Sequence, residues 1–193
     1  SYALDAEIPC NFAPDFMIAT SRNNAVVNYA EARLTDNWLE TNSSNAEDST
    51  NYFQWDGEGG KINLPLAAFA NDPVFYQYRR APGFFDVVTY TGTGAARLVS
   101  HNLSAVPELI IVKRRNGNSW WYTYSAPVGN TGALAVNRTD GVDTATSYWN
   151  NQSPTNAGFY VGTNSDTNGN TFTFVAYLFA TLDGISKVGS YTG

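Results

Sequence analysis

The sequence predicts an all-β protein made of two tandem β-sandwich modules of a jelly-roll-like type. Charged residues make up only 15% of the chain, and aromatic residues make up another 15%. No stretch sustains an apolar period of 3.6 residues beyond two turns, whereas the abundant Thr, Val, Tyr, Phe and Trp residues favour a pleated, half-buried surface. The chain also resembles itself, so the same strand pattern is expected twice.

Composition argues against several classes of function. The formal net charge of -6 disfavours a protein that tracks nucleic-acid phosphates or anionic membranes. One Cys and one His provide neither an internal disulfide nor a ligand cluster for zinc. No apolar run approaches the roughly 20 residues that span a bilayer. We therefore predict no nucleic-acid partner, no membrane insertion and no cofactor.

The internal repeat begins with two similar segments, one in each half of the chain. Ile8–Ile18 resembles Val99–Ile111, allowing for a two-residue insertion in the second segment. Each reads as a strand, a turn closed by Pro plus an acid, and a second strand. Further on, Asn42 corresponds to Asn137 at an offset of 95 residues.

Two later matches keep the same order and define the modules. We predict a first module over residues 1–83 and a second over 84–193, with the boundary at a Pro-Gly pair that ends one strand run. The offset grows to 101 at the last match because the second copy carries a longer Asn/Gly loop. The matched segments are Thr50–Phe53 with Thr146–Trp149, and Val87–Gly92 with Val188–Gly193.

Strand signals are clear in the second copy. Asn116 and Gly117 form the dipeptide that a two-residue hairpin turn favours, because both central residues take positive φ. In the first copy, Leu64–Ala70 fits a helical turn as well as a strand. The predicted strands of the second copy are Leu109–Lys113, Trp120–Tyr124, Gly132–Asn137, Gly158–Gly162 and Thr171–Ala180.

Four separated motifs of the second copy resemble a module of tail and appendage proteins of tailed bacteriophages, notably phages of marine bacteria and cyanobacteria. The family pattern is a Tyr-Thr-Gly opening, a Ser-His-Gly-Leu turn, a Pro-acid-hydrophobic strand and a closing Val-Ala-Tyr-Leu-Phe strand. The resemblance covers nearly all of Phe84–Gly193 and is weak over residues 1–81. The segments that carry it are Val88–Gly94, Val99–Leu103, Val106–Arg115, Val175–Phe179 and Ser186–Gly193.

This resemblance implies a structural role without catalysis. Proteins of this kind are components of the virion, so it implies an extracellular particle and a position in its tail or surface appendages. The implied partners are other virion subunits, with the chain itself forming a homo-oligomer, a trimer being the candidate symmetry, around a fibre or tail axis. The family supplies no catalytic residues, and we predict that the chain is not an enzyme.

Four aromatic residues are the candidate contact residues: Trp120, Trp121, Tyr148 and Trp149. Their rings could stack on a host surface glycan, or they could pack in the core or against another subunit. Because neighbouring residues on a strand point to opposite faces, only one of each adjacent pair is expected in the core. A carbohydrate-binding module is therefore the alternative to a purely structural subunit.

One loop has part of the pattern of a calcium site. Asp166, Asn168 and Asn170 place oxygen ligands at alternate positions around a glycine, as the start of a calcium loop does. The terminal bidentate Glu is missing, and the same residues suit a plain turn. No metal is therefore assigned, and these three residues remain a weak calcium candidate.

The titratable residues do not form a catalytic pattern. His101 has no nucleophile patterned beside it, so we predict that it makes a turn hydrogen bond to the backbone. A polysaccharide-degrading enzyme would need two carboxylates across a cleft. The acid pairs Glu47 with Asp48 and Asp56 with Glu58 are sequence neighbours on predicted loops, where solvated charge is the expected role.

Overall fold

The computed structural model describes residues 5–7, 12–22, 28–49, 53–55, 60–63 and 73–192. Regular structure in these ranges is almost entirely antiparallel β-sheet, which confirms the all-β prediction. The helices of the described residues are four residues long, and none there is long and apolar enough to cross a membrane. The chain divides into two compact units, residues 1–79 and 80–193. The segment Leu64–Ala70 lies outside the described residues.

The first unit contains two antiparallel sheets in its described residues. Its strands are β1 (Asp5–Glu7), β2 (Phe16–Ser21), β3 (Asn28–Ala32), β4 (Trp38–Glu40), β5 (Phe53–Trp55), β6 (Gly60–Asn63) and β7 (Pro73–Tyr78). One sheet has the order β4-β3-β2-β7, and the other has the order β1-β6-β5. Phe16, Met17 and Ala19 of the central strand β2 are buried.

The second unit contains a six-stranded sheet and a two-stranded sheet. Its elements are β8 (Phe85–Thr91), β9 (Arg97–Ser100), β10 (Leu109–Arg114), β11 (Tyr122–Ser125), β12 (Gly132–Ala135), β13 (Asp143–Thr144), α1 (Thr146–Trp149), β14 (Gly158–Val161), α2 (Ser165–Asn168) and β15 (Thr173–Phe179). The large sheet has the order β13-β12-β11-β10-β15-β8, and β9 pairs with β14. Strands therefore occur in all five segments of the second copy for which the sequence predicted them.

One cluster of buried side chains joins the six-stranded sheet to β9, β14 and α1. Phe174, Ala176 and Leu178 on one face of β15 belong to this cluster. Val175 and Tyr177 on the opposite face are also buried. Both faces of β15 are thus removed from solvent, which explains why its sequence is apolar throughout rather than alternating with polar residues.

The two units share a pattern of hydrogen bonds at the start of β2 and β10. The amide of Asp15 donates to the carbonyl of Tyr78 at 2.8 Å, and the amide of Glu108 donates to the carbonyl of Phe179 at 2.9 Å. The carbonyl of Asp15 accepts from the amide of Arg33 at 2.9 Å. In the same way, the carbonyl of Glu108 accepts from the amide of Ala126 at 2.8 Å. The Pro-acid motif therefore ties the central strand to both neighbours in each unit.

The correspondence continues into β4 and β12 at the offset that the sequence matches predicted. In the first unit Trp38 pairs with Asp48, and in the second Ala133 pairs with Asp143, each at an offset of 95 residues. The order β4-β3-β2-β7 thus corresponds to β12-β11-β10-β15. The units share one strand arrangement in this part of their sheets.

The predicted two-residue hairpin at Asn116 and Gly117 is wrong. The connection between β10 and β11 runs from residue 115 to 121, and neither residue has a positive φ. The side-chain oxygen of Asn116 instead accepts a hydrogen bond from the amide of Thr173 at 3.2 Å. The Asn side chain thus fastens a wider loop to the start of β15.

Gly92 shows why the Tyr-Thr-Gly motif requires a glycine. A Cβ atom at this position would lie 2.1 Å from the carbonyl oxygen of Gly169 and 2.8 Å from the ring of Phe174. The amide of Gly92 donates to Phe172 at 2.7 Å, so the backbone is held in this close approach. The motif thus brings the end of β8 against the backbone that precedes β15.

Substitution of Gly92 by Ala is expected to destabilise the second unit by about 3 kcal/mol, because the contact is with backbone that cannot move aside. Gly189→Ala is the control, since nothing lies within 4 Å of a Cβ at Gly189. Denaturant unfolding with hydrogen exchange of peptides from residues 85–91 and 173–179 measures the difference. Equal stability of the two variants would show that the close approach is not maintained in solution.

Candidate functional site

The structure separates the four candidate aromatic residues. Trp121 and Tyr148 are each 4% exposed and Trp149 is 1% exposed, whereas Trp120 is 37% exposed. The prediction that one Trp of the pair at 120 and 121 is in the core is confirmed. It is wrong for Tyr148 and Trp149, because they lie on the short helix α1, whose side chains do not alternate between two faces.

Tyr148 and Trp149 hold the outer strands of the six-stranded sheet. The indole nitrogen of Trp149 donates to the carbonyl of Gly132 at 3.0 Å, and the hydroxyl of Tyr148 donates to a carboxylate oxygen of Asp143 at 2.5 Å. Burial, followed by the hydrogen bond to Asp143, raises the pKa of Tyr148, so its hydroxyl stays protonated as a donor. These two side chains therefore fix the positions of β12 and β13.

Trp120 lies beside a charged hairpin loop. The guanidinium carbon of Arg138 is 5.0 Å from the centre of the Trp120 ring, a favourable arrangement of a cation over an aromatic face. Arg138 also forms an ion pair with Asp140. Two contacts thus restrain the Arg138 side chain, although it is 38% exposed.

A cavity of about 300 Å³ opens next to this loop, a size at the lower end for small-molecule sites. Its walls come from β11, β12, β13 and the loop between the last two. Sequence analysis did not find this site, because Arg138, Asp140 and Asp143 reach Tyr122 only through strand pairing. The residues that line it include Tyr122, Ala133, Arg138, Asp140, Val142 and Asp143.

The three calcium candidates do not form a ligand set in this structure. The segment Ser165–Asn168 is helix α2 rather than an open loop, and Asn164 caps it by accepting from the amide of Asp166 at 2.8 Å. Asn168 is fully buried, while Asn170 is exposed. Within the described ranges no three His, Cys, Asp or Glu residues are grouped to hold a metal ion.

The carboxamide of Asn168 is used instead to join separate segments. Its nitrogen donates to the carbonyls of Ala95 and Gly162, each at 2.7 Å, and its oxygen accepts from the amide of Thr93 at 3.1 Å. All three of these bonds are to backbone. Asn168 is therefore a structural residue that ties the connection between β8 and β9 to the end of β14.

His101 has the backbone role that the sequence predicted. Its Nδ1 accepts from the amide of Leu103 at 3.2 Å, so Nε2 carries the proton and donates to the carbonyl of Thr155 at 3.1 Å. Asp86 accepts from the amide of Asn102 at 2.7 Å. The Ser-His-Asn-Leu turn is thus held by side-chain hydrogen bonds from within and from β8.

The two acid pairs that the sequence singled out do not form a site among the described residues. Glu47 and Asp48 follow β4, where Asp48 makes backbone bonds to Trp38. The pair Asp56 and Glu58 lies outside the described residues. No cleft between two of these carboxylates is present in the part of the chain that the structure describes, as a glycosidase would require.

A buried carboxyl group in the first unit was missed by sequence analysis. Glu31 on β3 is 2% exposed, and one of its carboxyl oxygens accepts from the indole nitrogen of Trp55 at 2.6 Å. Burial raises the pKa of Glu31 to about 8, with a smaller contribution from Asp36, against the opposing effect of the Trp55 hydrogen bond. No sequence signal marks it, because acids are ordinarily found on the exposed face of a strand.

Glu31→Gln is expected to remove a pH dependence from the first unit. The folded pKa of about 8 lies above the unfolded value of 4.5, so the carboxyl contributes stability below pH 4.5 that is lost as the pH rises toward 8. The slope between these values approaches about 1.4 kcal/mol per pH unit. The Gln variant should have a flat profile there and be more stable than the wild type at pH 8.

Hydrogen exchange of peptides covering residues 28–40, followed from pH 5 to 8 with correction for intrinsic exchange rates, measures this effect. Glu40→Gln is the matched control on the next strand, where the carboxylate accepts from Asn45 on an exposed turn. Parallel profiles for wild type and Glu31→Gln would contradict the assignment of a protonated Glu31.

Asn168→Ala is expected to destabilise the second unit by about 3 kcal/mol, because the buried carbonyl of Gly162 loses its partner. Asn170→Ala, a change at an exposed residue, should have little effect on the free energy of unfolding.

Exchanging EDTA for millimolar calcium should leave the unfolding midpoint of the unaltered chain unchanged. A midpoint that calcium raises, and that loses this response in Asn170→Ala, would instead establish a calcium site.

A known family model matches the second unit. Residues 79–193 match the family model described as Domain of unknown function (DUF7483). No curated protein and no solved structure matches the chain. The matched range begins one residue before the second unit and includes all of the elements around the cavity and around Asn168. Because the match covers more than half of the chain, the chain belongs to the DUF7483 family.

Proposed function

We propose that the chain is a non-enzymatic structural protein of a virus particle, a component of the tail fibre or another surface appendage of a tailed bacteriophage. Each unit acts as one sandwich-type β module, and the two modules follow one another along the chain. The observation that carries this proposal is that the motifs resembling phage appendage modules are formed by residues that hold the fold together.

The polar residues of these motifs have structural partners. His101 fixes the turn after β9, and Glu108 ties β10 to its neighbours through its backbone. Asp86, which lies outside the motifs, accepts from the motif residue Asn102. Gly92 permits a backbone approach that no larger residue allows. These structural roles support a module whose motif maintains the fold rather than carrying out a reaction.

The shared strand arrangement of the two units supports a role in particle architecture. Repetition of one module provides length and stability by simple addition, as in other repeat proteins. The second unit also leaves large apolar side chains exposed, which suit contacts between subunits of a homo-oligomer such as a trimer. These include Leu98 at 40%, Val106 at 49% and Ile185 at 69% exposure.

Fractionation of phage particles tests this proposal. Particles purified on a density gradient from a host in which the encoding genome replicates are expected to contain the chain in a fixed ratio to the major capsid protein. A viral replication enzyme serves as the soluble control. Recovery of the chain with that enzyme, and its absence from the particles, would contradict a structural role.

A second candidate function is binding of a host surface glycan, which would contribute to attachment. The observation that favours it is the exposed ring of Trp120 beside Arg138 and the cavity lined by Tyr122. Aromatic faces with a few fixed polar groups are the usual composition of a ligand site. The buried Trp121, Tyr148 and Trp149 do not contribute an exposed ring to it.

A further inference from the structure

The shared strand arrangement relates the cavity of the second unit to a buried indole of the first. In the first unit the indole of Trp38 packs on the ring of Tyr29, with 4.2 Å between ring centres, and Trp38 is 7% exposed. Strand pairing makes Tyr122 the equivalent of Tyr29, and Ala133 the equivalent of Trp38. A methyl group thus stands where the first unit has an indole. The ring of Tyr148 covers part of the Tyr122 ring, with 4.7 Å between ring centres, and the cavity lies next to Tyr122 and Ala133.

The cavity combines an apolar floor with a charged rim. The exposed Val142 and the largely buried Tyr122 and Ala133 form the apolar part of the wall, and Arg138, Asp140 and Asp143 provide hydrogen-bonding groups. The rim groups are held in place, since Asp143 accepts from Tyr148 and Arg138 pairs with Asp140. Such restraint lowers the entropy that a ligand must overcome on binding.

We propose that this cavity is a binding site for one neutral pyranose ring, the terminal sugar of a glycan. A pyranose has an apolar face that can pack against the side of the cavity formed by Val142 and Tyr122. Its hydroxyl groups can donate to the carboxylates of Asp140 and Asp143 and accept from the guanidinium of Arg138. Each part of the cavity thus has a matching part in the ligand.

The charge of the rim selects a neutral ring over an acidic one. Two carboxylates and one guanidinium leave an excess negative charge around the opening. A uronic or sialic acid would bring its own carboxylate into this field, and the guanidinium that could receive it is already paired with Asp140. Neutral hexoses and N-acetylhexosamines meet no such repulsion.

This inference gives the second candidate function a location, whereas the role in the particle does not depend on it. Absence of sugar binding would remove the site and leave the particle experiment unaffected. Conversely, a chain that binds sugars but is absent from particles would retain the site and lose the structural proposal. The two experiments therefore fail independently.

Saturation-transfer NMR on the full chain tests the site, with the methyl glycosides of glucose, galactose, mannose and N-acetylglucosamine as probes and glucuronic acid as the acidic counterpart. We expect saturation of at least one neutral probe with millimolar affinity and none of glucuronic acid. Ala133→Trp copies the residue of the first unit and fills the space beside Tyr122. It should weaken binding at least tenfold.

A milder variant keeps the test valid if the Ala133→Trp chain does not fold, which circular dichroism will show. Asp140→Asn leaves the cavity open but alters its rim, and should weaken binding several-fold, whereas the exposed Asp183→Asn is the matched control with unchanged binding. Failure of every neutral probe, preference for glucuronic acid, or equal binding by wild type and a folded Ala133→Trp chain would each overturn the proposal.

Discussion

The buried carboxamide of Asn168 is a polar contact on which the meeting of the two sheets of the second unit depends. It bonds to the backbone of Thr93, Ala95 and Gly162, and thereby joins the connection between β8 and β9 to the end of β14. The backbone carbonyl of Asn168 also accepts from Gly94 at 2.7 Å. Since β8 belongs to the large sheet and β14 to the small one, this residue links the two sheets by hydrogen bonds in addition to side-chain packing.

Apolar packing and polar ties have separate tasks in this unit. The cluster of buried aromatic and aliphatic side chains supplies the non-directional stabilisation that comes from removing apolar surface from water. Asn168, Asp86 and His101 supply direction, because each fixes a particular backbone group. Of these three polar residues only His101 lies in a motif that resembles phage appendage modules, whereas Asp86 and Asn168 are recognised from their hydrogen bonds in the structure.

The strands and the correspondence between the units could be predicted from the sequence, since both depend on patterns that are local along the chain. The apolar run from Leu109 marks β10 without reference to any partner, and the Pro-acid turn before it is a short-range signal. Helix α1 could not be predicted in this way, because four residues give no helical period. The Asn-Gly dipeptide at residue 116 misled for the opposite reason: its local preference is overridden by the bond from Thr173.

The candidate site depends on distant pairing, and so it was not visible in the sequence. Tyr122 and Asp143 are neither neighbours nor related by a period, and their meeting requires the order of β11, β12 and β13. Glu31 is similar, since its burial depends on Trp55 from another sheet. The alternation rule predicted that one Trp of the pair at 120 and 121 would be buried, but it did not say which; the structure exposes Trp120 and buries Trp121.

The position of β15 between β8 and β10 also determines when the large sheet can form during synthesis. This strand pairs on one side with β10 and on the other with β8, which the ribosome synthesises some ninety residues earlier. Until β15 emerges, the inner edges of β8 and β10 have no neighbour and remain open to pairing with other nascent chains. The large sheet can therefore close only after β15 has been synthesised, and nascent chains crowded on one messenger would have the opportunity to exchange this strand.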